Sequence, residues 1–164
     1  MRLTKLKNYR VRANKNEIID HLLKVKRKIN LFNDLTDYQI KTLVKEITFN
    51  KFKKNETIFR QGDTKNQFIY FILAGSVKVV LKDNFGIRKT ITTVSQGSII
   101  GEIQAILEQE RTASCVASSD SNILIGFTIN DYNTTTNGNI YGIFYRNLSR
   151  VLAHKIADTN TKVK

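Results

Sequence analysis

The chain has 164 residues, 41% hydrophobic and 25% charged, which is enough for one domain with a real core and appendages. The single cysteine, Cys115, excludes an internal disulfide and a multi-cysteine metal site. No apolar run approaches the ~20 residues of a membrane span and the start lacks a signal-peptide core, so the expectation is a reducing, cytoplasmic setting.

The formal charge of +13 is unevenly spread. Residues 1–30 carry ten lysines and arginines against Glu17 and Asp20, a net +8, and the remainder of the chain carries +5. Residues 1–30 therefore read as a basic arm and helix, with contact to nucleic acid or an anionic membrane as the partner class such charge fits, and residues 31–164 as the domain proper.

Met1 to Lys15 shows no sustained period and reads as a flexible or partner-dependent arm. Ile18, Ile19, Leu22, Val25 and Ile29 then form a helical stripe. Thr36-x-x-Gln39 is a capping-box pattern, and Ile40, Leu43, Val44 and Ile47 continue it at helical spacing. Short β-rich runs follow, at Thr48 to Lys53, Thr57 to Phe59, Phe68 to Leu73, Ser76 to Lys82, Ile87 to Val94 and Ser98 to Ile100, with Asp83-Asn84-Phe85-Gly86 as a hairpin link. Alternation makes Phe68, Tyr70 and Ile72, and Val77, Val79 and Leu81, candidates for the core. Glu102 to Glu108 carries Ile103, Ile106 and Leu107 on one face of a short helix. Thr112 to Ala117 and Asn122 to Thr128 bring the strands to eight, which suits a jelly-roll-like antiparallel barrel. A turn of helix is expected at Asn130 to Thr135, and a long last helix is marked by Ile140, Ile143, Phe144, Leu148, Val151, Leu152 and Ile156.

The chemistry concentrates in Gly101 to Ala117, where one acid and one arginine flank a single short helix. Gly101 permits close backbone approach, and the free N–H groups at a helix start favour an anion. An arginine after the helix can fork onto a phosphate, while a carboxylate at its start can accept from sugar hydroxyls. One arginine matches a phosphate of charge near minus one, whereas Glu102 would repel a nucleoside triphosphate. That combination describes a cyclic phosphodiester.

Gly101-Glu102 followed by Arg111-Thr112-Ala113 resembles the phosphate-binding cassette of the cyclic nucleotide-binding domains. Gly62-Asp63, Tyr70-Phe71-Ile72, Gly75-x-Val77 and Gly97-x-x-x-Gly101-Glu102 resemble the family's landmarks in the same order, from about Leu31 to Ile156. The resemblance implies an α+β fold, an eight-stranded antiparallel β-barrel or β-roll flanked by N-terminal helices and a C-terminal helical lid that swings over the base. It implies Gly101, Glu102, Ile103, Gln104, Arg111, Thr112 and Ala113 as the ligand-binding set for cAMP or cGMP. In it Glu102 takes the ribose 2′-hydroxyl, Arg111 takes the phosphate, and the Thr112 hydroxyl reaches a guanine amino group. Gln104 departs from the family's usual alanine or glycine; its long amide adds a donor or crowds the pocket. Ala105 stands where a larger apolar residue is usual.

There is no G-x-x-x-x-G-K-[ST] loop, and His21 and His154 lie far apart on separate predicted helices, so no catalytic or metal-binding constellation is expected. The leading reading is a regulatory module that binds cyclic nucleotide and acts on a separate protein partner. Two others remain open: a degenerate member of the same fold in which Glu102 and Arg111 form a structural ion pair, and a nucleic-acid binder using the basic arm.

Overall fold

The computed structural model describes residues 15–129 and 138–161; most of the expected basic arm and the helical turn expected at Asn130 to Thr135 lie outside them. The described residues fall into two compact units, one holding Glu46–Thr128 and the other Ile19–Lys45 with the C-terminal segment.

The first unit is a roll of two four-stranded sheets. One runs β1 (Val44–Lys53), β8 (Ser121–Ile129), β3 (Ile69–Ala74), β6 (Ile99–Ile100), and the other β2 (Thr57–Phe59), β7 (Ser114–Ala117), β4 (Ser76–Lys82), β5 (Arg88–Ser95). All eight expected strands are present, as an open roll rather than a closed barrel, because each sheet keeps its own two edge strands. Tyr70 faces Ile100 on one side and Gly126 on the other, which makes β3 a central strand. It is buried on both faces, with Ile69 and Phe71 at 1% exposure and Ile72 at 0%, a state that a period-two pattern does not reveal.

Between the sheets sits a core of Phe52, Phe59, Tyr70, Ile72, Val77, Ile100, Cys115 and Leu124. Each large apolar side chain there contributes about 1.5–3 kcal/mol by leaving water. Cys115 is one of them, a buried hydrophobe in β7. Leu81 is not: it is 39% exposed. A bulge between Val79 and Val80 shifts the β4–β5 register, so the alternation that Val77 and Val79 begin does not carry through to Leu81.

At the β3–β4 corner, Gly75 turns with φ +89°, and a Cβ there would lie 2.5 Å from Asn122 Oδ1. Asn122 is fully buried and ties three segments together. Its Oδ1 accepts from Ser76 N (3.0 Å), and its Nδ2 donates to Ser119 O (2.7 Å) and Phe52 O (3.2 Å).

In the helical segments, α1 (Lys15–Val25) ends before the expected stripe does. Lys26–Lys28 form a 3₁₀ turn and Ile29 is extended. α2 (Asp37–Leu43) begins as expected, with Thr36 Oγ1 accepting from Gln39 N and Gln39 Oε1 accepting from Thr36 N. It stops at Leu43, however. Val44 is already extended and Ile47 lies in β1, both buried, with exposed Lys45 and Glu46 between them.

The last helix, α4 (Gly138–Thr161), packs against α2 and the turn Asn30–Phe32. Ile140, Tyr141, Phe144 and Leu148 are its buried stripe. Asn147, within an Asn-Leu-Ser sequence, is 2% exposed and donates to Leu31 O and Asn33 O, so it locks the helix to that turn. Beyond Val151 the helix is mostly exposed, with Ile156 at 63%. Among the described residues no helix is long and apolar enough to cross a membrane.

Candidate functional site

β6 ends at Ile100 and the chain turns through Gly101 (φ +82°, ψ 9°) into α3 (Glu102–Leu107), which closes at Glu108 in the same left-handed region. Gly101 is required twice over. Its φ is strained for any side chain, and a Cβ would stand 2.4 Å from Arg111 Nη1 and 2.9 Å from Phe68 O.

The face of α3 is the reverse of the one its apolar spacing suggests. Ile103 and Leu107 are 42% and 53% exposed, whereas Glu102 and Gln104 are buried. Arg111, itself 2% exposed, gives the buried carboxylate of Glu102 a nearby cation, while Gln104 turns to the β2–β3 turn instead. Gln104 Nε2 makes a long 3.4 Å bond to Asp63 O, and Glu102 adds a favourable field at Arg111.

Arg111 is held from all sides. Its backbone pairs with the β2–β3 turn, N donating to Asp63 O (3.0 Å) and O accepting from Gly62 N (2.8 Å). Its guanidinium carbon lies 4.0 Å from the centre of the Phe59 ring. Nη1 donates to Gly101 O (2.8 Å), and Nη2 donates to Phe68 O (2.7 Å) and Asn66 Oδ1 (3.0 Å). Burial lowers its pKa from the ordinary guanidinium value, against opposing fields from Tyr70, Cys115, Asp63 and Glu102, yet the group stays ionised at neutral pH.

Asn66 is itself positioned by its neighbours. Asp63 Oδ1 accepts from its backbone N (3.3 Å) and from Lys65 N (2.8 Å), and Asn66 Nδ2 donates to Tyr70 Oη (3.1 Å). Asn66 Oδ1 also accepts from Phe68 N (3.2 Å).

Among the described residues two buried side-chain atoms are left without a hydrogen-bond partner, Arg111 Nε and Gln104 Oε1. The first has a geometric consequence. A guanidinium offers an oxyanion two bidentate edges, the terminal Nη1–Nη2 edge and the lateral Nε–Nη2 edge. Nη1 and Nη2 are engaged by the carbonyls of Gly101 and Phe68 and by the Asn66 amide oxygen, and Nε–H is left without an acceptor. Of those three bonds only the one to Asn66 is made to a side chain.

Of the residues expected from the sequence, Gly101, Glu102, Gln104 and Arg111 are gathered in this buried arrangement. Ile103 and Thr112 are exposed, and Ala113 is half-buried. Asn66, Phe68 and Phe59 were not foreseen. The turn-forming run Gly62-Asp63-Thr64-Lys65-Asn66 was the available signal, since an Asp followed by Asn three residues later is a common way to order a loop. Among the described residues no group of three or more His, Cys, Asp or Glu could hold a metal ion.

Residues 49–125 match the family model of the cyclic nucleotide-binding domain. The chain is 33% identical over 79 residues to the cAMP-activated global transcriptional regulator CRP of Salmonella typhimurium, an alignment covering 48% of this chain and 37% of that protein. It is 30% identical over 92 residues to the cGMP-dependent protein kinase of Plasmodium berghei, covering 56% of this chain and 10% of that one. The matched part is thus well under half of either relative. A solved cyclic nucleotide-binding domain from Methylobacillus flagellatus shares the fold with a TM-score of 0.66 at 22% identity, covering 95% of this chain and 86% of that one. The family model thus matches residues 49–125, a little under half of the chain, and the likeness to the solved cyclic nucleotide-binding domain is one of fold.

Proposed function

We propose that the chain is a non-catalytic regulatory module that binds cAMP or cGMP, with Arg111 taking the cyclic phosphate and Glu102 the ribose 2′-hydroxyl. The observation that carries this reading is the Arg111 side chain. It is buried, ionised and preset by two main-chain carbonyls, and its lateral edge combines a free Nε–H with an Nη2–H held by a replaceable amide oxygen. A cyclic phosphodiester carries a single charge and offers two oxygens to such an edge. Gln104 Oε1, the other buried atom without a partner, supplies an acceptor for a ligand hydroxyl. The ligand class is further supported by relatives named for activation by cAMP and dependence on cGMP.

The output is assigned to α4, whose later turns are mostly exposed, and its target to a separate protein partner. Nucleotide can shift α4 only through a difference in affinity between two arrangements of the chain.

Titration calorimetry with cAMP and cGMP tests the reading. Binding of both is expected, with loss in Arg111→Ala; Arg111→Lys, which keeps the charge and loses the fork, should recover little. No heat and no thermal shift at millimolar nucleotide would leave the domain a scaffold.

A further inference from the structure

We propose that the β4–β5 hairpin is a second functional surface, a wedge that docks on an anionic lipid membrane. The hairpin carries the most exposed large apolar side chain of the described chain. Phe85 is 89% exposed at the turn, Ile87 is 65% exposed beside it, and Leu81 and Ile91 are 39% and 52% exposed behind. Lys82, Arg88 and Lys89, all exposed, surround that tip.

The tip is built rather than loose. Asp83 Oδ1 accepts from the backbone N–H groups of Phe85 (2.9 Å) and Ile87 (2.8 Å), Asp83 N and Ile87 O bond at 3.0 Å, and Gly86 turns with φ +86°. Gln61 clasps the base, its Nε2 donating to Lys82 O (3.2 Å) and its Oε1 accepting from Lys82 N (2.8 Å). A preordered turn presents its side chains without an ordering cost on binding.

The charges decide the occupant. Lys82 and Arg88 are paired directly across the two strands, a like-charge arrangement that destabilises a hairpin, and no carboxylate forms an ion pair with either among the described residues. β5 is an edge strand, and lysine on an edge is ordinary protection against strand addition. Protection does not explain Phe85 and Ile87, which are what a guarded edge avoids. A second copy of this chain, with its own net charge of +13, is repelled. Nucleic acid would satisfy the cations and leave the aliphatic side chains of Ile87, Leu81 and Ile91 without a role. A lipid surface takes both: the apolar tip enters the headgroup boundary while the cations behind it meet anionic headgroups.

The chain has no tryptophan, so Phe85→Trp places a single reporter at the tip. The full-length variant is mixed with phosphatidylcholine vesicles, with and without phosphatidylserine. A blue-shifted indole emission, quenched by brominated acyl chains, is expected only with phosphatidylserine. Lys82→Gln with Arg88→Gln should weaken vesicle affinity, read from that signal, by about 25-fold, at about fivefold for each cation near the surface. Circular dichroism checks that each variant is folded. Three outcomes overturn the proposal: vesicles that sediment the protein while the emission stays unshifted, which assigns lipid binding to another segment; a shift that grows with protein concentration alone, which assigns the hairpin to a second copy; and no sedimentation at low salt.

Discussion

Replacing Asn66 with alanine is expected to move stability and nucleotide affinity in opposite directions. The native amide oxygen accepts from Arg111 Nη2 at 3.0 Å and Phe68 N at 3.2 Å, and the amide nitrogen bonds Tyr70 Oη at 3.1 Å. Losing the two neutral bonds removes about 1 kcal/mol each, and the bond to a charged group about 1.5–3 kcal/mol, offset in part by water entering a half-buried site. A net loss of about 2 kcal/mol lowers the melting temperature by about 4–8 °C in a chain of this size. In the proposed binding mode the same bond to Arg111 is the one a phosphate oxygen displaces. Its absence spares the ligand up to about 1.5–3 kcal/mol, an upper bound of about 10- to 150-fold, and water on the freed Nη2 takes back part, so a gain of roughly tenfold is expected. Calorimetry with cAMP and cGMP, alongside thermal melts of the nucleotide-free protein, reads both quantities. If affinity falls together with stability, Asn66 supports the bound state and the phosphate does not use the lateral edge.

Arg111→Ala should weaken nucleotide binding by roughly 30-fold to several thousand-fold, from the 2–5 kcal/mol that truncating one partner of a buried charged contact costs; Glu102→Ala should cost less in the same titration, since it removes a bond to a neutral hydroxyl. Gly101→Ala places a methyl 2.4 Å from Arg111 Nη1 at φ +82°, so a loss of stability above about 2 kcal/mol is expected in chemical denaturation, and a neutral result would show that the turn relaxes freely. Because burial lowers the Arg111 pKa, the folded state carries a constant penalty wherever both states are protonated, and stability rises only as pH passes the lowered folded value. Arg111 should therefore give no slope to nucleotide affinity between about pH 5 and 9, and a slope there would reveal another titrating group at the site. Hydrogen exchange in Gly138–Thr161 should slow when nucleotide is added; protection confined to Gly101–Thr112 would send the output elsewhere.

The succession of eight strands along the chain was legible because its turns are marked by Gly, Asn and Asp and its runs by β-branched residues. The errors came where a longer-range effect overrode a local one. Val44 and Ile47 sit at helical spacing after Leu43, and they stay buried three residues apart, yet pairing with β8 holds both in β1. Ile103 and Leu107 look like the inner face of α3, yet Glu102 and Gln104 are the buried pair and the apolar two are left outside. Leu81 shows the same limit, since one bulged residue changes which side chains face the core and no local pattern announces it. Arg111 stood out in the sequence through the resemblance, but Asn66, 45 residues earlier, did not, because the bond between them exists only once distant segments have come together.

The corner built by Asn122 bears on how the chain reaches its fold. That one amide joins Phe52, Ser76 and Ser119, contacts spanning 70, 46 and 3 residues of sequence, so two of its three bonds cannot form until long loops have closed. Roll topologies of this kind, rich in distant contacts, refold on the millisecond-to-second scale. Asn122→Ala should mainly accelerate unfolding and leave the refolding rate nearly unchanged, the pattern of a contact made after the rate-limiting barrier. The sequence contains no proline, so a refolding phase lasting tens of seconds cannot be prolyl isomerisation.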